Sequence, residues 1–454
     1  MNHRAAGLAL LAVVQVSAPA SADPPGVVTF PQIDGTSSSE TVELAGDERF
    51  IALAVVRFSF NTTRSGFIAI LDTQTGEQVA RIDPPDPSAM EAFGVQIAID
   101  DGVLYVATQR DERFGLPDNP GGSVTAFSIP EGDLIATIAA PTATGFDYFG
   151  LPTIPTDDVL VIGAPSEGFP NAKSGAVYTF TLPDLQLIQR IGGINVEQQS
   201  VAFPMIANDD FIAWVRGTES NSLPDDAVFV VHDRDTGQFV TEAQPTADGV
   251  AVTTASFGLV ADGRYAVLGD IRDDRAGVNA GWVYVFDFQQ MEFVNSFGPP
   301  PGSDGRRFGV QMAMRGSFVA LATPNSTDTI SGLQSRIDIV HVPSGQLVRS
   351  IDLPVNDAGD FGTLSGFGQA LTFVARGIAI KSNSRSGGTR VDYIPIPELC
   401  PADTNADGDL TPADFNAWLD AFNTAAPACD QNYDGQCRQN DFNAWIVNFN
   451  AGCG

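Results

Sequence analysis

The sequence of 454 residues predicts a mainly β protein, a seven-bladed β-propeller followed by a small α-helical module. Three observations carry this. A phrase of four short apolar segments recurs from about residue 40 to residue 395, at a period of roughly 50–60 residues, as in a repeat architecture. No long stretch of that region shows helical periodicity. The last 55 residues change character: they hold all four cysteines and two copies of one phrase, "DFNAWLDAFN" at 414–423 and "DFNAWIVNFN" at 441–450.

At the N-terminus, "MNHR", the apolar run "AAGLALLAVVQV" and the small-residue exit "ASA" read as a secretory signal over 1–22. The run is too short to span a bilayer, and no later stretch reaches 18 apolar residues, so no transmembrane anchor is expected. Residues 23 onward are therefore expected outside the cell, secreted or associated with the cell surface. The net charge is −31, from 55 acids and 24 bases. Such a surface repels nucleic acid and anionic lipid, so no nucleic-acid partner is expected; most of this acidity serves solubility.

The repeat units follow in order. The first is "TVELAGDERFIALAVV" with "SGFIAILDTQTGEQVARI". Later units open on a phenylalanine, at Phe93, Phe149, Phe203, Phe257, Phe308 and Phe367. Within a unit, turns of Gly, Asp and Pro separate four strands. The second strand, such as "VLVIGA", is nearly continuous in apolar residues, as a strand covered on both faces must be. The third, such as "SVTAFS", is aromatic and β-branched; the fourth, such as "EQVARI", alternates. Small sheets with two apolar faces are buried by packing face to face in a ring. The last unit ends at "TRVDYIPIP" and lacks a fourth strand, whereas "GVVTFPQI" at 26–33 precedes the first. That segment is expected to complete the last blade and close a propeller spanning 23–398. An open solenoid, or six blades plus an irregular one, is the alternative.

These units resemble the FG-GAP repeats of integrin α-type propellers, most clearly in Phe149-Gly150, Gly163-Ala164-Pro165 and "SGAVYTF". The resemblance covers about 370 residues. Several such propellers carry a DxDxDG calcium loop within a blade. The corresponding loops here, such as "RDERFGLPDNPGG" and "DDRAGVNAG", lack that spacing, so calcium is not carried over to the blades.

No catalytic residue is assigned. Two histidines follow the signal segment, His232 in "VFVVH" and His341 in "IDIVH", and both read as one repeating strand-end position. The pairs Asp157-Asp158, Asp209-Asp210, Asp225-Asp226 and Asp273-Asp274 read as turn formers, since adjacent acids on a strand point to opposite faces. GxSxG and HExxH are absent. A functional surface is expected on the long loops at 109–122, 165–174, 216–226 and 271–280.

The tail, 399–454, carries the sharpest motif. "DTNADGDLTPAD" at 403–414 and "DQNYDGQCRQND" at 430–441 share the spacing of an EF-hand calcium loop. The expected ligands are Asp403, Asn405, Asp407, Asp409 (by its backbone oxygen) and Asp414, then Asp430, Asn432, Asp434, Gln436 (backbone) and Asp441. Gly408 and Gly435 allow the sharp turn at position six. Two Ca²⁺ ions are expected, because calcium accepts six to eight hard oxygens. Each loop leads into a helix whose apolar residues fall at i, i+3, i+4 and i+7: Phe415, Trp418, Leu419 and Phe422, then Phe442, Trp445, Ile446 and Phe449. Two such stripes are expected to bury one another. Disulfides are expected for Cys400–Cys453, clasping the ends, and Cys429–Cys437, inside the second loop.

The tail resembles a type I dockerin of the GC type, which implies a calcium-dependent partner that is cohesin-like or belongs to the envelope. In that family loop positions 10 and 11 are often a Ser/Thr pair; here they are Pro412-Ala413 and Gln439-Asn440, which puts the partner in question. The expected function is extracellular or cell-surface attachment, with the propeller binding protein or glycan. An extracellular polysaccharide hydrolase or lyase targeted by its dockerin is the alternative, and a passive structural protein is a third.

Overall fold

A computed structural model describes residues 28–31, 33, 41–56, 66–116, 119–141, 147–167, 175–192, 205–216, 228–247, 250–251, 257–300, 308–323, 336–352, 371–374, 377–383, 389–396, 399–405, 410–424, 426–433 and 436–451. The signal segment 1–22, Phe203 and Phe367 lie outside them.

Seven four-stranded antiparallel sheets follow one another along the chain. Blade one consists of Thr41–Gly46, Phe50–Val56, Phe67–Asp72 and Glu77–Ile82. Blade two begins at Met90, blade three at Thr153, blade four at Met205, blade five at Phe257 and blade six at Gln311. In each, strands pair in sequence order, first to fourth. Blade seven has three consecutive strands, Leu371–Val374, Gly377–Asn383 and Thr389–Pro395, and takes its fourth from Val28–Thr29. Val28 pairs with Tyr393 and Thr29 with Asp392. Phe30 and Ile33 continue the contact, their amides donating to the carbonyls of Val391 at 2.9 Å and Thr389 at 3.0 Å. The expected closure by the N-terminal strand is thus present, and the fold is a seven-bladed β-propeller.

The core lies between blades, because each second and third strand is apolar on both faces. Phe67–Asp72 is buried along its whole length. The described opening phenylalanines Phe93, Phe149 and Phe308 plug these interfaces. Phe149 is fully buried between blades two and three and meets Tyr178 edge-on at 5.5 Å; Phe93 and Phe308 do the same elsewhere. Two glycines make room for Phe149. Gly150 has φ +109, and a Cβ there would lie 2.9 Å from that of Ala107. A Cβ on Gly122, which opens the third strand of blade two, would lie 2.2 Å from the Phe149 carbonyl oxygen. The FG phrase and the glycine before the third strand therefore form one interlock. Fourth strands are more exposed than alternation predicts: in Glu77–Ile82 only Ile82 is buried, because this strand is the blade's outer edge.

The tail has two helices, α1 (Pro412–Thr424) and α2 (Gln439–Ala451). Their core is Trp418 and Trp445 with Ala402, flanked by Leu410, Phe415, Phe422 and Phe449. Leu419, Phe442 and Ile446, expected in the buried stripes, are instead 41%, 36% and 38% exposed. A two-helix module offers each helix one partner, which covers the centre of the stripe and leaves its flank outside. Leu399 and Tyr433 of the tail pack on the core shared by blades six and seven.

Candidate functional site

The tail loops are built from their ends inward. Thr411 precedes α1 and its hydroxyl accepts from the Ala413 amide at 3.2 Å, while Asp414 accepts from the Thr411 amide at 2.8 Å. This is a reciprocal capping box. The other Asp414 oxygen turns back to the loop and accepts from the Asn405 amide at 3.3 Å. The second loop repeats the aspartate's half of this, with Arg438 in place of the threonine: Asp441 accepts from the Arg438 amide at 2.6 Å and from the Gln431 amide at 3.0 Å. Both carboxylates are fully buried. Position twelve thus faces the loop entrance in each copy, as a closing ligand must. The tryptophans exchange partners across the pseudo-twofold. Trp418 donates to the carbonyl of Cys429, just before the second loop, at 3.2 Å, and Trp445 to that of Ala402, just before the first, at 3.3 Å.

Asp407, Asp409 and Asp434 lie outside the described residues. Among the described residues no three His, Cys, Asp or Glu side chains gather as a metal group. The oxygen donors that are described, Asp403, Asn405, Asp414, Asp430, Asn432, Gln436 and Asp441, suit a hard cation and are spaced for calcium. Cys429 and Cys437 form the expected disulfide, with Cα atoms 5.5 Å apart. Cys400 is also disulfide-bonded, and its expected partner Cys453 lies outside the described residues.

The propeller offers a second candidate, at the end of the channel opposite the long loops. A cavity of about 550 Å³ is lined by the first strands of the blades and by residues at their turns to the second strands, including Asp47, Glu48, Asp100, Asp101, Asp262 and Arg315. The sequence-predicted loops do not line it, because strand direction places them at the other end. Many of these turn groups stitch blades together. The Asp157 amide donates to Asp209 at 3.2 Å, Asn208 donates to the Gly263 carbonyl at 2.6 Å, the Gly316 amide donates to Asp262 at 2.7 Å, and Arg315 pairs with Glu48. Burial, then Asp101, Asp157 and Asp209, raises the pKa of Asp100; burial chiefly raises that of Asp262. Burial and the neighbouring Asp100 push the Tyr105 hydroxyl up to about 12.

On the long loops the acids are held by arginines. Asp111 pairs with Arg113 at 2.7 Å, Glu167 with Arg190 at 2.6 Å and Asp273 with Arg275 at 2.7 Å. Asp225 and Asp226 lie outside the described residues. The two histidines do not share a position. His341 pairs with Phe318, the first residue of its blade's second strand, whereas His232 pairs with Ile212, the second. Both third strands pair with the second without interruption, and each is irregular at the same place against the fourth; the offset lies in the sequence, since His232 is followed by Asp233 at the strand end whereas His341 is itself the last residue. His232 is buried and stacks on Trp214 at 4.6 Å. His341 is held down to about 4 by burial.

No family model matches the chain, and no curated protein does. Solved structures resemble it in shape. The β-propeller domain of the Trilobed protease from Pyrococcus furiosus is 10% identical over 78% of this chain and 96% of that one, with a TM-score of 0.49. The Dos1 propeller is 12% identical over 81% and 95%, with a TM-score of 0.46. The acylaminoacyl peptidase of Pyrococcus horikoshii is 8% identical over 78% and 51%, with a TM-score of 0.49. The seven-bladed assignment rests on the strand order above. Among the described residues no helix is long and apolar enough to cross a membrane.

Proposed function

We propose that this chain is a secreted, calcium-binding propeller protein, attached outside the cell through its dockerin-like tail and presenting the propeller to a protein or glycan. The observation that supports this most is the twin loop. Two copies of D-x-N-x-D-G end in an aspartate that is buried, caps a helix and reaches back to the loop entrance. Calcium there would supply folding free energy and a fixed loop shape, since an ion that binds only the folded state stabilises it by mass action. The ligands would be Asp403, Asn405, Asp407, Asp409 and Asp414, and Asp430, Asn432, Asp434, Gln436 and Asp441. Calorimetric titration of the full chain should count two Ca²⁺ ions; Asp403→Ala with Asp430→Ala should abolish both. Absence of calcium binding in the unaltered chain refutes the reading.

The cohesin-like or envelope partner would be the protein that the full chain captures with calcium and releases with a chelator. One observation favours the enzymatic alternative, a polysaccharide hydrolase or lyase. The channel cavity is within the roughly 300–1,000 Å³ of ligand pockets, and two carboxyls that border it, Asp100 and Asp262, have raised pKa values. Polysaccharide turnover abolished by Asp100→Asn or Asp262→Asn would establish that alternative.

A further inference from the structure

The tail touches blade six at a position that the blades fill differently, with Ser128 in blade two and Thr181 in blade three. In blades one and five the last residue of the third strand is an aspartate, paired to an arginine that precedes the second strand: Arg49 with Asp72 at 2.6 Å and Arg264 with Asp287 at 2.5 Å. Registers place Asp72 opposite Phe50, Asp287 opposite Tyr265 and His341 opposite Phe318, so His341 takes the place of the aspartate. Ser317 takes the place of the arginine. The ion pair is replaced by an aromatic shelf, with His341 oriented by Ser344, 2.8 Å from its Nδ1.

Tyr433 stands on that shelf. Its ring lies 4.8 Å from His341, tilted by 35°, and 5.5 Å from Phe318, edge-on at 89°. Tyr433 is the fourth residue of the second loop, between the expected ligands Asn432 and Asp434. Its φ is +54, a left-handed conformation that a bulky residue rarely adopts without an external constraint. The first loop has Ala406 at the same position, so the twin loops differ where one of them meets the propeller.

We propose that blade six carries a dedicated seat for the second loop of the tail, and that calcium in this loop locks Tyr433 into it. The seat rests on the calcium reading only for its trigger. An ion held by residues 432 and 434 fixes the backbone of the residue between them. That prepays the conformational cost of presenting the tyrosine ring. The tail then binds its own propeller through one loop and keeps the other loop and the exposed flank of α2 facing outward.

The test is hydrogen–deuterium exchange on the full chain, with calcium alone and with a chelator, alongside a calorimetric count of bound ions. Calcium should protect residues 338–348 and the connection at 397–400, and the chelator should remove that protection by roughly tenfold, as expected for two aromatic contacts. Tyr433→Ala should lose it while still binding both ions, and Tyr433→Phe should keep it. His341→Asp, which restores the residue of blades one and five, should expel the ring without unfolding the blade. Two bound ions with identical exchange in calcium and chelator overturn the trigger and leave the calcium reading standing. Unchanged protection in both Tyr433→Ala and His341→Asp overturns the seat. No bound ion overturns the trigger and the calcium reading together.

Discussion

Replacing Phe30 by alanine tests the closure of the ring. Phe30 is 1% exposed although it stands far from the residues it packs on. It lies in a cluster with Val42, Leu53, Phe67, Val374 and Tyr393, and so joins blade seven to blade one. Truncating a buried phenylalanine costs about 3–5 kcal/mol through lost transfer energy and the cavity left behind. Because folded domains are stable by only about 5–15 kcal/mol, this is a large share. The assay is equilibrium urea unfolding of residues 23–454 followed by tryptophan fluorescence. With an m-value of about 3 kcal/mol/M or more for a chain of this size, the midpoint should fall by roughly 1 M. Deleting everything before residue 36 should fall at least as far, since it also removes Ile33 and two backbone hydrogen bonds. A loss below about 1 kcal/mol for Phe30→Ala, at unchanged m, would show that the N-terminal strand is ornamental and that the ring closes without it.

Three further outcomes are expected. Gly122→Ala should destabilise by about 2 kcal/mol or more, because the new Cβ would be driven into the Phe149 carbonyl; Gly263→Ala, at φ +53 in open space, should cost roughly 1 kcal/mol, read from the same urea curves. His341 has a folded pKa of about 4, below its unfolded value of 6.5, so its contribution is present above the unfolded value and is lost as pH falls through the interval between them. A proton NMR titration of its ring should therefore show no ionisation between pH 7 and 5. Asp262 has a raised pKa caused first by burial, so its ionised form costs stability as pH rises. Asp262→Asn keeps an oxygen for the Gly316 amide and should leave the midpoint at pH 7 unchanged or higher.

The blade count was legible because a strand covered on both faces has no room for polar residues: "VLVIGA" and "FIAILD" announce their burial directly. The closing strand was legible as an imbalance, one strand too many at the start and one too few at the end. The two tail helices were legible from the repeated phrase and its apolar spacing. The open end of the channel was not. Asp47, Asp100 and Asp262 lie at short turns that look like any other turn, and their grouping depends on the ring. That His232 and His341 differ in register was legible in their distance from the turn glycine, Gly237 lying five residues after the first and Gly345 four after the second, a signal that matching the apolar runs alone passes over.

A repeat protein writes its function where the repeat is broken. Features that recur from blade to blade serve the ring: the plugging phenylalanine at Phe93, Phe149 and Phe308, the glycine beside it, the apolar second strand. Positions that vary from blade to blade are free to serve something else: the residue that closes the third strand is Asp72, Ser128, Thr181, Asp233, Asp287 and His341 in blades one to six. At that position blades one and five hold an aspartate paired to an arginine, a partly exposed ion pair that contributes little, and blade six holds His341 instead. It offers Phe318 and His341 to a tyrosine that only one of the two tail loops possesses. A variable position of the propeller and a difference between the twin tail loops meet at one contact. Drift in either repeat alone would leave an unmatched aromatic in water, so the pairing argues for a joint between the propeller and its tail.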